Sequence, residues 1–359
     1  MFSTLLTLPT CWEQLQKTDK PIVMYGMGNG ADRLLTIFEG LGVEVKEFFA
    51  SDAFVRGHSF HGKRVKKLAE IQEEYEDFVI VVAFAVQDRP TMDAICRLNE
   101  QYELYAPDLP VAGETLFDRE FFLAHMDELQ QTCDSLADER SREVFLDLLR
   151  YKLTGKIDPL MKTEDGREEV LRELLPFGKN EAFVDLGAYN GDTVAEFLKA
   201  CEGTFDAIYA LEPDGKNFKK MGKRLEEMGL GSDARICLCN AAAWSEPTTL
   251  YFAAKAGRNS TVTAAGKETP AESVDHVLGG ARASYMKLDV EGSEREALAG
   301  AAETIRRHRP KILLSAYHRS EDLFALPAQI NGIAEGYRFY LRRFPYIPAW
   351  EINYICIPE

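Results

Sequence analysis

Short apolar runs separated by amphipathic stretches organise both ends of this chain. Ile22–Tyr25 is a run of four apolar residues that stops at glycines, the pattern of a buried parallel strand. Leu34, Leu35 and Phe38 then recur at helical spacing until Gly40 and Gly42. Residues 43–49 and 78–85 predict two further strands, the second strongly apolar (FVIVVAFA). Strand, helix, strand and another buried strand imply a parallel sheet with right-handed crossovers. From residue 182 the alternation resumes. AFVDLGAYNGDT reads as strand, turn and helix; AIYALEPD (207–214), RICLCNAAAW (235–244), YMKLDVEG (285–292) and KILLSAYH (311–318) read as four more strands. The tail, YRFYLRRF followed by WEINYICIP, alternates like an antiparallel pair.

The stretch between these regions has no comparable strand. In residues 135–155, Leu136, Val144, Phe145, Leu148 and Leu149 fall at helical spacing, Gly155 offers a stop, and Ser135 with Asp138 suggests a capping box. The expected fold class is α/β: two doubly wound Rossmann-like domains joined by a helical connector. The expected boundaries are 1–112, 113–165 and 166–359, with the connector as a possible homodimer surface.

Composition narrows the partners. The chain has 359 residues, with 42 Lys+Arg against 58 Asp+Glu and a net charge of −16. That field repels phosphate backbones, so no nucleic-acid partner is expected. No run approaches the ~20 apolar residues of a membrane span. The seven cysteines are scattered, without a Cys-x-x-Cys, which suits free thiols in a reducing compartment. A cytoplasmic enzyme with no metal site is the expectation.

The candidate chemistry lies in the second region. Gly187 lets the chain turn at a strand's carboxyl end, and Gly191 allows a ligand close to a helix start. Asp185 and Asp192 would repel a phosphate, and no Gly-Lys-Ser/Thr is present. Twenty-five residues beyond Gly187, Glu212 closes the next strand, where such sheets place an acid for ribose hydroxyls. Acid, glycine turn and second acid describe an adenosine site without a pyrophosphate requirement. S-adenosylmethionine, with a cationic sulfonium and a ribose diol, fits it. Lys287, Asp289 and Glu291 alternate along one predicted strand, and His318 ends the next. These four are the expected catalytic residues, with His318 the side chain whose ordinary pKa best suits proton removal. The polar loop GRNSTVTAAG (257–266) reads as an ordinary connection or a lid over the substrate.

The segments VDLGAYNGDT, LEPDGKNF, NAAAW, ESVDHVL, KLDVEGSEREALAGA and RPKILLSAYH occur in this order between residues 184 and 318. This set resembles the FkbM-type methyltransferase family, S-adenosylmethionine-dependent enzymes that methylate hydroxyl oxygens. The resemblance implies a class I methyltransferase domain with a terminal antiparallel hairpin. It places the cofactor on Asp185, Gly187, Asn190, Gly191, Thr193 and Glu212, with Asn217, Asn240 and Ala241 bordering the adenine. The implied acceptor is a hydroxyl of a sugar, glycan or related small metabolite. In the first region, Gly26, Gly28 and Ala31 form G-x-G-x-x-A, with Asp52 beyond the second strand. That pattern is similar to Rossmann-like modules found beside sugar-modifying enzymes. It leaves open an NAD-dependent oxidoreductase or a nucleotide-sugar-binding role.

Overall fold

A computed structural model describes residues 2–55, 57–252 and 266–359. The loop 257–266, apart from its last residue, lies outside the described residues. The first sheet is parallel, in the order β2-β1-β5-β6. Its strands are β1 (Ile22–Tyr25), β2 (Val45–Phe49), β5 (Val79–Val82) and β6 (Glu103–Tyr105). Between β2 and β5 sits a small hairpin of β3 (Ser59–Phe60) and β4 (Lys63–Arg64). Every residue of β1 and β5 is buried, as expected of parallel strands covered on both faces. β6 escapes the apolar pattern because it is three residues long and begins with Glu103.

The second sheet has seven strands in the order β15-β16-β14-β13-β7-β8-β9. β7 (Ala182–Leu186), β8 (Ala207–Leu211), β9 (Ile236–Cys239), β13 (Tyr285–Leu288) and β14 (Lys311–Ser315) are parallel. β15 (Tyr337–Arg343) and β16 (Ile352–Pro358) close one edge as the antiparallel pair that the tail's alternation predicts. A three-stranded sheet joins β10 (Ala242–Ala243), β11 (Thr248–Phe252) and β12 (Lys267–Glu272). It splits the run 235–244, read from sequence as one strand.

The helices Met126–Ser135 and Glu139–Thr154 occupy the expected connector. Asp138 alone caps the second, accepting from the Ser141 N–H, while Ser135 donates to the Thr132 carbonyl; the expected capping box is absent. Gly155 ends this helix with φ 64°. Val144, Phe145, Leu148 and Leu149 are buried within this chain, so they offer no apolar face to a second copy. One apolar cluster runs from Val23 and Val82 through Phe145 to Ile312 and Tyr354, linking the two sheets through these helices. Among the described residues, no helix is long and apolar enough to cross a membrane.

Candidate active site

Strand order reverses between β7 and β13 in the large sheet, and between β1 and β5 in the small one. At such points the loops after adjacent strands diverge and leave a crevice. In the large sheet the loops are 187–191 and 289–293. Their approach is tight: a Cβ on Gly187 (φ 79°) would lie 1.9 Å from the Asp289 carbonyl oxygen. Only glycine allows the two strand ends to meet there.

Asp185 does not face the crevice. It is fully buried, accepts from the Thr193 hydroxyl, and has Lys287 Nζ 3.4 Å away. The register sets Asp185 directly beside Lys287 on neighbouring strands. Lys287 donates to the Gly187 carbonyl at 2.8 Å. Burial opposes the lysine's charge, but Asp185 and Asp289 outweigh it and raise its pKa. Burial likewise raises the Asp185 pKa, with Lys287 and Thr193 working against it. Asp185, Thr193 and Lys287 therefore brace the glycine turn from beneath. The expectation that Asp185 and Thr193 touch a cofactor, and that Lys287 is catalytic, gives way to this bracing role.

Glu212 is different. It is 5% exposed at the tip of β8, and its two oxygens accept from the Tyr189 and Asp214 N–H groups at 2.8 Å each. Burial pushes its pKa up to about 7, against the pull of those two hydrogen bonds. Asn190, beside it in the turn, has a buried Oδ1 without a hydrogen-bond partner. Gly191 (φ 78°) begins the helix Asp192–Ala200, with its missing Cβ 3.0 Å from Met221. Asn240 donates to the Glu212 and Pro213 carbonyls, holding the β8 tip, and Ala241 is buried beside it. Asn217 stands in the first turn of the helix Gly215–Glu227, where its N–H is capped by Asp214. Glu212, Asn190, Asn240 and Ala241 thus gather at the carboxyl ends of β7 and β8, with Asn217 in the first turn of the helix that follows.

The expected catalytic residues meet for a different reason than alternation. β13 ends at Leu288, so Asp289 and Glu291 lie in a turn, with Glu291 at φ 55°. That turn carries both carboxylates to His318, which is fully buried. Its Nε2 is 3.5 Å from Asp289 Oδ1 and 3.7 Å from Glu291 Oε2. Its Nδ1 is 2.9 Å from Glu294 Oε1, an ion-pair contact without hydrogen-bond alignment. Burial disfavours the imidazolium, but Glu294, Asp289 and Glu291 outweigh it and push the pKa up to about 10. Protonated at neutral pH, His318 cannot take a proton, which removes its expected role as base. Asp289 is held below its ordinary value: burial opposes ionisation, but Lys287 and His318 prevail, and Tyr317 donates to it at 3.2 Å. Sequence reasoning missed Glu294 and Asp322, both 1% exposed. Burial and the nearby Glu294 raise the Asp322 pKa to about 7. Glu294 was visible as an acid opening a helix; nothing in the sequence placed Asp322 beside it.

A cavity of about 780 Å³ extends from this cluster to the first sheet. One wall is Glu291, Gly292 and Arg319, and the opposite wall is Gly28, Asn29 and Phe84, with Trp244 and Trp350 also lining it. The Ala112 N–H donates to the His318 carbonyl, and a Cβ on Gly292 would lie 2.3 Å from the Ala112 Cβ. Asp52, by contrast, is 76% exposed in its side chain, 3.6 Å from Lys67, and does not line this cavity. The ribose acid required by a dinucleotide at the first glycine loop is therefore missing from its place.

Residues 185–339 match the methyltransferase FkbM domain family. That match makes the chain an S-adenosylmethionine-dependent methyltransferase. The matched residues include Gly187, Glu212, Asp289, Glu291 and His318. The whole chain is similar to the crystal structure of methyltransferase FkbM from Methylobacillus flagellatus KT. That likeness has a TM-score of 0.73 at 22% identity, covering 94% of this chain and 90% of that one. Slighter likenesses are to an rRNA methylase from Streptococcus thermophilus and to Aeropyrum pernix fibrillarin. The first has 15% identity, covers 54% of this chain and 93% of that chain, and has a TM-score of 0.36. The second has 10% identity, coverages of 52% and 72%, and a TM-score of 0.33. No curated protein matches the sequence.

Proposed function

We propose that the enzyme transfers the S-adenosylmethionine methyl group to a hydroxyl oxygen of a sugar-like or glycan acceptor held between the two sheets. The observation that carries this reading is the cavity joining Glu291 and Gly292 to the first sheet's glycine loop. Its two tryptophans offer flat apolar faces to a sugar ring, and Glu291, Arg319 and Asn29 supply polar partners. In this reading residues 1–112 form the acceptor-binding half, and residues 166–359 hold the donor. The ribose diol would donate to Glu212, and Asn190 would contact the cofactor from the turn.

The sulfonium is an activated donor, so the protein's task is in-line alignment and removal of a proton. As the new bond to carbon forms, the hydroxyl becomes strongly acidic, and a carboxylate of low pKa suffices as acceptor. Asp289, held below its ordinary value beside Lys287 and His318, fits that part, and the protonated His318 holds it in place. The unpaired cysteines suit a cytoplasmic setting for this chemistry.

Two measurements test the reading. Calorimetric titration with S-adenosylmethionine should saturate at one per chain. Incubation with a labelled donor and a panel of sugars and glycans should give a product heavier by one methyl group in place of a hydroxyl hydrogen. Methylation of amines or thiols alone would overturn the hydroxyl assignment.

A further inference from the structure

The cavity between the two sheets holds two arginines that no carboxylate balances. Arg33, on the helix Asn29–Leu41 of the first sheet, and Arg319, just after β14 of the second, both line it and are half-buried. Arg33 Nη2 donates to the Pro110 carbonyl at 2.6 Å, and Arg319 Nε to the Gly292 carbonyl at 2.9 Å. Each thus spends one N–H on a neutral oxygen, and among the described residues neither guanidinium forms an ion pair. Glu114, Glu291 and Glu296 line the same cavity without pairing with either arginine. Burial lowers the Arg33 pKa, with no acid among the described residues to oppose it. A half-buried cation without a counter-ion carries a desolvation cost that a bound anion would offset.

The two charges converge on one stretch of chain. Arg33 ends on Pro110, and a Cβ on Gly113 would lie 3.2 Å from Arg319 Nη1. Three residues of chain span about 11 Å at most, so both guanidiniums lie within reach of one small molecule. The start of the helix Asn29–Leu41 lines the cavity as well. Gly30 lets it press on the end of β5, where a Cβ would lie 2.4 Å from the Ala83 carbonyl oxygen. No side chain caps that helix, and the Asn29 and Gly30 N–H groups have no acceptor among the described residues. We infer that the acceptor carries a phosphate group, bound by Arg33 and Arg319 with the Asn29 and Gly30 N–H groups beside them. A guanidinium fork matches two phosphate oxygens, and N–H groups at a helix start add neutral donors for the third. A carboxylate, with one charge and two oxygens, would leave most of these donors unused.

This inference rests on the reading that the acceptor lies between the two sheets, and it narrows that acceptor to a sugar phosphate. The phosphate is a handle: its bonds do not change, while the methyl group leaves the sulfonium for a hydroxyl oxygen near the 289–293 turn. Binding energy from this remote group would orient the reacting hydroxyl. Phosphate binding itself needs no donor, so the two readings can fail separately.

The test is a titration of the full chain with inorganic phosphate, without S-adenosylmethionine, followed by phosphorus NMR line broadening. One saturable phosphate per chain is expected, bound more tightly than acetate. Arg33→Gln and Arg319→Gln should each weaken it about 10- to 100-fold. Lys179→Gln, at an exposed position outside the cavity, should leave it unchanged. Phosphate should still bind once S-adenosylmethionine saturates the chain. No saturable phosphate, equal affinity for acetate, or indifference to both arginine variants would overturn the site. Displacement by S-adenosylmethionine would also overturn it, because the arginines would then serve the donor's own carboxylate. Should a variant not fold, the wild-type chain decides: phosphate should slow modification of Arg33 and Arg319 by phenylglyoxal, read by peptide mass, and unchanged rates would overturn the site. Phosphate binding by a chain that does not bind S-adenosylmethionine would keep the anion site and sink the methyl-transfer reading. Methylation of neutral sugars by a chain that binds no phosphate would do the reverse.

Discussion

Glu212 carries opposed demands, and Glu212→Gln separates them. Its folded-state pKa of about 7 lies above the ordinary value of 4.5, so folding prefers the protonated carboxyl. That preference is fully present below about 4.5 and is lost as pH rises through about 7. At about 1.4 kcal/mol per unit, the difference amounts to about 3 kcal/mol at most, and about half that once water reaches the strand tip. The amide removes this titration but brings its own cost. Both Glu212 oxygens accept from backbone N–H groups, and the amide nitrogen can accept from neither, which costs about 1–3 kcal/mol. At about pH 5 the variant should therefore be the less stable protein. By about pH 8.5 the gap should shrink by about 1–3 kcal/mol, because only the wild type has lost stability. Urea unfolding of both proteins across that range measures the difference, in which every other titrating group cancels. At about pH 8.5, where Glu212 is ionised, S-adenosylmethionine affinity should fall about 10- to 100-fold in the variant, since a charged acceptor for the ribose diol becomes neutral. A stability difference that does not change with pH would refute the raised pKa. Unchanged affinity would remove Glu212 from the ribose.

Three other substitutions follow from the same geometry. Gly187→Ala puts a Cβ into the Asp289 carbonyl at positive φ, so it should cost about 3 kcal/mol or more and abolish donor binding; a normally stable, binding-competent variant would contradict the close approach. Lys287→Met leaves Asp185 buried without its ion pair and should lower stability by about 3–5 kcal/mol in urea unfolding, whereas a neutral outcome would mean Asp185 is already protonated. Lys152→Met strands the buried Asp108 and should cost a similar amount. The Lys152 variant should keep donor affinity within about twofold, since the pair lies outside both crevices; a large loss would show coupling between connector and active site.

The strands were legible because parallel strands buried on both faces need mostly apolar runs; β1 and β5 are apolar throughout, and β7, β13 and β14 carry only one or two polar residues each. The tail's antiparallel pair showed in its alternation. β6, β11 and β12 were not legible, being short or polar enough to read as loop, and β10 was read as the end of one strand over 235–244. Alternation was extended too far through Lys287, Asp289 and Glu291. It assumed an extended backbone where Glu291 instead adopts positive φ.

By itself, then, the order of apolar runs determined an α/β fold, the glycine after β7 and the acid after β8 pointed to a nucleoside site, and the FkbM-like segments between 184 and 318 implied methyl transfer. These are local features, written in residues adjacent along the chain. Which carboxylate pairs with the buried lysine was decided only by strand register, which sets Asp185 against Lys287 and leaves Glu212 at the β8 tip on backbone N–H groups. Likewise, nothing local makes His318 a cation. Its charge comes from Glu291, Glu294 and Asp289 folding around it, and electrostatic energy depends on distances that only tertiary structure sets.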